Sequence, residues 1–269
     1  MDLLFIFLLL IVIVIMFIIY LIKPRKKRMV NRSVHFYAHR GFHNDIVPEN
    51  SLAAFKIAQE KGFGVELDVQ LTKDNKVIVF HDADLLRMCG HDTKINDLTY
   101  DELKKYKLKD SSETIPLFSQ VLEVMKDMPV ICEIKTHLKE KSNELCLCVS
   151  DEIAGYKGFV CIESFSPFVL RWFKKNKPEI IRGQLSMDFI KKREGLRFIE
   201  AFMMKNLFVN VWSRPDFIAY SHTDDSPGFY LCRKLFDPVC IGWTVKSKKD
   251  IKKAENKYYS FIFENIFLN

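Results

Sequence analysis

Glu66 and Asp68 stand two residues apart in VELDVQL (65–71). A strand of that sequence turns both carboxylates to one face and Val65, Leu67 and Val69 to the other. Carboxylates side by side in a desolvated interior repel one another and are costly to bury. A cation between them removes the penalty. Glu133 and Lys135 repeat the spacing in PVICEIKT (129–136), again with apolar Cys132 and Ile134 opposite, so Glu133 can complete a three-carboxylate set. All-oxygen donors suit a hard ion, Mg²⁺ or Ca²⁺, more than zinc. His39 and Arg40 close the run VHFYAHRG (34–41), and His81 and Asp82 close KVIVFHD (76–82). Two histidines, a carboxylate cluster and the cations Arg40 and Lys135 supply acid, base, metal and charge clamp. That inventory suits phosphate ester hydrolysis.

These residues need a scaffold that brings the ends of several strands together. The 269 residues are 48% hydrophobic, enough to bury one large core, which excludes a disordered chain and a small disulfide scaffold. Runs rich in Val, Ile and Phe alternate with amphipathic stretches, the pattern of parallel strands covered by helices. Strands are expected at 34–41, 65–71, 76–82, 129–136, 159–164, 180–186, 216–221, 239–245 and 260–266. Helices are expected at 50–61, 116–127, 138–154, 166–176, 188–205 and 247–257. Only Thr72 to Asn75 separate the second and third strands, which is turn chemistry rather than a crossover, so one strand of the nine is a hairpin extension. The remaining eight predict an α/β fold, a (β/α)₈ TIM barrel over residues 34–269. A doubly wound open sheet is the rival, but no GxGxxG or Walker loop supports it.

The ordered strings AHRGFHNDIVPENSLAAF, VELDVQLTKDNKVIVFHD, IPLFSQVL, ICEIKT, ESFSP and GWTVKS resemble the glycerophosphodiester phosphodiesterase family along nearly all of 34–269. The resemblance implies a TIM barrel that hydrolyses glycerophosphodiesters to glycerol 3-phosphate and an alcohol, using one divalent cation and two histidines. Carried over by motif, His39 and His81 would be general acid and base, in an order left open. Glu66, Asp68 and Glu133 would hold the metal, and Arg40 and Lys135 would neutralise phosphoryl oxygens. Glu49 of PENS would orient Arg40 or contact the glycerol, and Trp243 of GWTV would line the pocket. The family's cyclic-phosphate route is untested by the spacing. The chain departs from the family pattern at SFIFENI, which stands where relatives carry an ITDxP-like string. Two rivals are a phospholipase C- or D-like barrel acting on intact lipids, and a catalytically silent membrane-bound binding module.

From Leu3 to Ile22, twenty residues lack charge and proline, and a helix of that length spans about 30 Å of hydrocarbon. Asp2 in place of a basic n-region, together with the length of the run, argues for an uncleaved anchor over a signal peptide. Lys23, Arg25, Lys26, Lys27 and Arg28 follow at once, so the positive-inside bias leaves the barrel cytoplasmic. The expected division is an anchor at 1–22, a basic juxtamembrane linker at 23–33 and the barrel at 34–269. Without residues 1–28 the chain holds 36 basic and 33 acidic residues, or +3 against +7 overall, too balanced for a nucleic-acid binder. The partners expected are a glycerophosphodiester or lysophospholipid and the bilayer.

Seven cysteines without CxxC spacing read as reduced thiols that serve as small hydrophobes. Plainer roles compete elsewhere. His35, His91, His137 and His222 read as surface or structural residues, and His43 is undecided. Glu133 with Lys135 could form a structural ion pair. Phe165, Phe168, Trp172 and Trp212 read as ordinary core before an acyl-binding wall.

Overall fold

The structure, a computed structural model, describes residues 3–25, 35–137, 140–193 and 195–266. Its strands are β1 (Phe36–His39), β2 (Gly64–Leu71), β3 (Val77–Val79), β4 (Val130–Ile134), β5 (Val160–Ser164), β6 (Ile181–Ser186), β7 (Phe217–Ser221), β8 (Val239–Val245) and β9 (Ser260–Phe263). Eight of them pair in parallel, from β1 to β2, to β4, and onward in sequence to β9, which pairs with β1 again. The ring therefore closes. β3 lies outside it, antiparallel to β2 through Val69 and Val79, as the four-residue turn requires. The fold is the TIM barrel that the alternation of apolar runs and amphipathic stretches predicts.

The long helices are α1 (Leu3–Ile22), α2 (Leu52–Glu60), α3 (Phe118–Met125), α4 (Ser142–Ile153), α5 (Pro167–Asn176), α6 (Phe198–Lys205), α7 (Pro227–Phe236) and α8 (Lys248–Ala254). One expected helix is shorter than predicted and one helix is additional. The stretch 188–205 is helical only from Phe198, because Asp188 Oδ1 accepts from the amides of Ile190 and Lys191 and turns the chain there. α7 was not anticipated, since Pro227 and Gly228 resemble a loop. Ser226 caps it by accepting from the Phe229 amide, and proline is at home in a first turn.

The period-two pattern divides the strand side chains between two cores. Tyr37, Ile131, Cys161, Leu185, Phe217, Ala219, Ile241 and Ile262 fill the barrel interior. Val65, Leu67, Val69, Cys132 and Ile134 face outward against Phe55, Val121 and Val149 of the helices. A third core lies within the segment that follows β3, where Phe80, Leu85, Met88, Ile95, Leu103, Leu108 and Ile115 pack together. This excursion carries His81 and Asp82 and was not foreseen as a unit. All seven cysteines are free.

α1 is exposed along most of its length, but its end is tied to the barrel. Ile22 is fully buried, and its carbonyl accepts from Asn210 Nδ2 at 2.9 Å. Arg214 donates to the carbonyls of Tyr20 and Lys23 at 2.8 and 2.7 Å, and the Arg25 amide donates to Pro215. Among the described residues, α1 is the one helix long and apolar enough to cross a membrane. Lys26, Lys27 and Arg28 of the expected basic run lie outside the described residues.

The barrel interior depends on volume matching between neighbouring strands. Gly183 of β6 pairs with Phe217 of β7, and a Cβ on Gly183 would fall within the Phe217 ring. Overpacking of this kind costs about 1–3 kcal/mol when the neighbour cannot move freely. Gly183→Ala is expected to lower the unfolding free energy by that amount, read as a lower urea midpoint with an unchanged m-value in equilibrium unfolding.

Candidate active site

The carboxyl ends of β1, β2, β4 and β5 bring acidic side chains to one end of the barrel. In the strand register, His39 lies opposite Glu66, Asp68 opposite Glu133, and Glu133 opposite Glu163. Glu66, Asp68, Glu133 and Glu163 are all buried. One oxygen from each of Glu66, Asp68 and Glu133 lies within 4.8 Å of the others. The sequence had singled out these three. It had not singled out Glu163, although its position two residues after Cys161 on β5 repeats that of Glu133 after Ile131 on β4.

Two cations enter this cluster. Lys135 Nζ lies 2.9 Å from Asp68 Oδ1 and 2.8 Å from Glu133 Oε1. Arg40 Nε lies 3.2 Å from Asp68 Oδ2, and the Arg40 amide donates to Glu66 at 3.2 Å. Asn50 donates to Asp68 Oδ2 at 3.0 Å. Burial raises the proton affinity of Asp68, but Lys135 and Arg40 overcome it and hold this carboxyl well below its usual range. Glu66 goes the other way, pushed well up by burial and by the charges of Asp68, Glu133 and Glu163. Glu163 is raised by burial and by Glu133, and its Oε2 has no hydrogen-bond partner among the described residues. Four buried carboxylates thus face two cations. The excess of oxygen donors and of negative charge fits a divalent cation bound through Glu66, Asp68 and Glu133.

Local backbone chemistry places Arg40 and Asn50. Arg40, Gly41 and Asn50 all have left-handed backbone, with φ of 54°, 81° and 55°. A Cβ on Gly41 would lie 2.9 Å from that of Ala54, so the HRG turn can sit directly on α2 only with glycine there. The Asn50 amide donates to the Arg40 carbonyl at 2.8 Å, and Ser51 caps α2 by accepting from Ala54. The PENS string is therefore the start of a helix tied to the HRG turn.

A chain of ion pairs connects this turn to His81. Arg40 donates to Glu49 Oε1 at 2.6 Å, and Arg87 donates to both oxygens of Glu49 at 2.7 and 3.0 Å. Arg87 Nε also reaches Asp82 Oδ2 at 2.6 Å, and Asp82 Oδ1 lies 2.7 Å from His81 Nδ1. Glu49 thus bridges two arginines. Arg87 was missed; its signal is HDADLLR, a cation five residues after Asp82. His137 Nε2 meets the His81 carbonyl at 2.9 Å, a structural role as expected.

His39 lies between two acids, with Nε2 3.9 Å from Glu66 Oε2 and Nδ1 3.4 Å from Glu264 Oε2. Burial lowers its proton affinity to a pKa of about 4, so the ring is neutral at pH 7. Glu264, from the divergent SFIFENI string, was also missed; it is a polar residue just past the end of β9, the position that placed the other candidates. Trp243 is half-buried and meets the Phe165 ring edge-on at 5.6 Å, and its Nε1 has no partner among the described residues. Phe168 and Trp212 stack on each other at 5.9 Å.

The arginines hold Glu49 at a pKa of about 2 against the opposing effect of burial, from an ordinary value of 4.5. A carboxylate whose pKa is depressed on folding stabilises fully above its unfolded value, and loses that contribution as pH falls through the folded one. Glu49→Gln is expected to cost about 2–3 kcal/mol at pH 7. The gap in thermal midpoint from the parent protein is expected to narrow as pH drops below 4.5 toward 2, read by calorimetry across that range.

Comparison with known proteins agrees with this geometry. Residues 39–256 match the model of the glycerophosphoryl diester phosphodiesterase family. A glycerophosphodiester phosphodiesterase of Caldanaerobacter subterraneus is 37% identical over 227 residues, covering 80% of this chain and 87% of the relative. A lysophospholipase D of Rattus norvegicus is 33% identical over 49% of this chain and 44% of its own length. A solved glycerophosphodiester phosphodiesterase from Thermotoga maritima superposes with a TM-score of 0.66 at 28% identity, over 87% of this chain and 96% of that one. An Oleispira antarctica phosphodiesterase, solved with sn-glycerol-3-phosphate, has a TM-score of 0.70 at 22% identity, covering 86% and 92%, and shares the fold. These matches favour neither a barrel for intact lipids nor a silent binding module. With a closed eight-stranded barrel, the acidic cluster at its mouth and a family match over most of its length, the chain belongs to the glycerophosphoryl diester phosphodiesterase family, a group of phosphoric diester hydrolases.

Proposed function

We propose that this protein is a membrane-anchored, metal-dependent hydrolase that releases glycerol 3-phosphate and an alcohol from glycerophosphodiesters. The observation that carries the reading is the acidic cluster of Glu66, Asp68 and Glu133, with His39 beside Glu66 and the anion-binding cations Arg40 and Lys135 within it. A divalent cation, Mg²⁺ or Ca²⁺, held by the three carboxylates supplies positive charge to a phosphoryl oxygen. Arg40 and Lys135 neutralise the oxygens that remain.

His39 accepts the proton of the attacking hydroxyl. Glu264 beside Nδ1 favours the tautomer with the proton on that nitrogen, which leaves the Nε2 lone pair on the side of Glu66. His81 returns a proton to the leaving alcohol. Asp82 fixes its ring through Nδ1, and Arg87 and Glu49 hold Asp82 in turn. The hydroxyl is either water or the substrate's own glycerol oxygen, and the histidines serve both routes alike. Trp243 and Phe165 form an apolar wall beside the diester.

α1 supports a single-pass anchor. A cleaved signal would forfeit the buried Ile22 and the bonds from Asn210 and Arg214 to the end of the helix. The basic residues from Lys23 to Arg28 favour a cytoplasmic barrel. Deacylated phospholipids and lysophospholipids arise at that surface, and a relative named lysophospholipase D is in keeping with the second class.

The test is turnover of a headgroup panel by the full chain in detergent micelles, with and without chelator, reading glycerol 3-phosphate. Activity is expected only with divalent cation present. His39→Ala and His81→Ala are each expected to lower kcat by about 10²–10⁴-fold with folding intact. Glu66→Gln is expected to raise the cation concentration needed for half-maximal activity. Full activity of the His39 variant, or turnover of intact bilayer lipid alone, would overturn the assignment.

A further inference from the structure

Beside the acidic cluster lies a donor set of different chemistry. One nitrogen each from His39 and His43 and one oxygen of Glu264 lie within 4.8 Å of one another. His43 Nε2 is shielded from solvent and has no hydrogen-bond partner among the described residues, and His39 Nδ1, equally shielded, faces Glu264 Oε2 at 3.4 Å. Buried ring nitrogens in native proteins are nearly always partnered. An unpartnered imidazole nitrogen beside a second imidazole and a carboxylate therefore calls for an explanation. The turn at Gly41 brings the imidazoles together: the His43 amide donates to the Gly41 carbonyl at 3.0 Å and folds the chain back. Between His43 and Glu264 lies a cavity of about 30 Å³. A space of roughly 10–15 Å³ by this kind of measure already holds one water, so a small ion fits.

We propose that His39, His43 and Glu264 form a second metal site, one that takes Zn²⁺ and inhibits the enzyme. Two imidazoles with one carboxylate and an open position is a common zinc ligand set, whereas the neighbouring all-oxygen cluster prefers harder ions. Among the described residues the competing cation on Glu264 is Lys246 at 3.2 Å, whose side chain is 63% exposed and free to move away.

Inhibition follows from proton placement and rests on the reading of His39 as proton acceptor. Neutral His39 carries one proton. Metal binding at Nδ1 moves that proton to Nε2, with no net gain or loss. Nε2 then points an N–H toward Glu66 and has no lone pair left to accept the hydroxyl proton. Nothing in the proposed reaction uses His43, so its removal separates the two roles.

The experiment uses the full chain in micelles with saturating Mg²⁺, comparing the parent protein with His43→Gln and, as a smaller replacement, His43→Ser. Co²⁺ is titrated by visible absorption as a spectroscopic stand-in for Zn²⁺, and Zn²⁺ is titrated against glycerophosphodiester turnover. The parent is expected to show a Co²⁺ absorption that Zn²⁺ displaces, and inhibition by micromolar Zn²⁺. Both variants are expected to keep basal turnover and to need at least about tenfold more metal for either effect. No Co²⁺ absorption in the parent, or equal metal response in parent and variants, overturns the site. His43-dependent binding without inhibition overturns its inhibitory role and the assignment of His39 as proton acceptor, while diester hydrolysis itself is scored by the control with Mg²⁺ alone.

Discussion

Ionised carboxylates packed at the end of a barrel repel one another, and burial removes the water that would screen them. Glu66, Asp68, Glu133 and Glu163 meet at such a place, where Arg40 and Lys135 are the cations paired with them among the described residues. Hydrophobic side chains of similar volume would fold at least as well there, because the desolvation of buried ion pairs often exceeds their attraction. The cluster is therefore explained by chemistry rather than by stability. A divalent ion would add two positive charges to those of Arg40 and Lys135 and so balance the four carboxylates, and a phosphodiester brings its own anion to the same cations.

The rest of the mouth is arranged around that constraint. Arg40 can reach Asp68 only because the HRG turn adopts left-handed backbone against α2. Glu49 then holds the far side of Arg40 and shares its second oxygen with Arg87. Through Arg87 and Asp82 the same network reaches His81, which sits on an excursion with its own small core. A displacement of Arg40 would thus be felt at the distant histidine. Preorganisation of this kind sets charged groups before the substrate arrives, so that little reorganisation remains for the reaction step.

Much of this was legible in the residues. Period-two alternation in VELDVQL and PVICEIKT identified which carboxylates share a face, and Glu66, Asp68 and Glu133 do converge. The short turn after VELDVQL, only Thr72 to Asn75 before the next expected strand, excluded a crossover and reduced nine strands to eight in the ring. What escaped notice had weaker local signals. Glu163 on β5 and Glu264 just past β9 have no acidic partner at spacing two, and Arg87 lies in a four-residue helix, Leu86–Cys89, too short to show a period. α7 was hidden by a proline and a glycine that serve as its first turn.

The sequence alone therefore determined the fold class, the face on which each strand residue lies, and the acidic set, because these follow from periods and spacings along one strand. Only the tertiary structure decided which strands are neighbours at the mouth, and so which residues from distant segments meet. The join of Glu49 to Arg87, the approach of Glu264 to His39 and the docking of Ile22 on Asn210 link positions 38 to 225 residues apart. No period records such contacts, since they exist only once the ring has closed and the loops have packed against it.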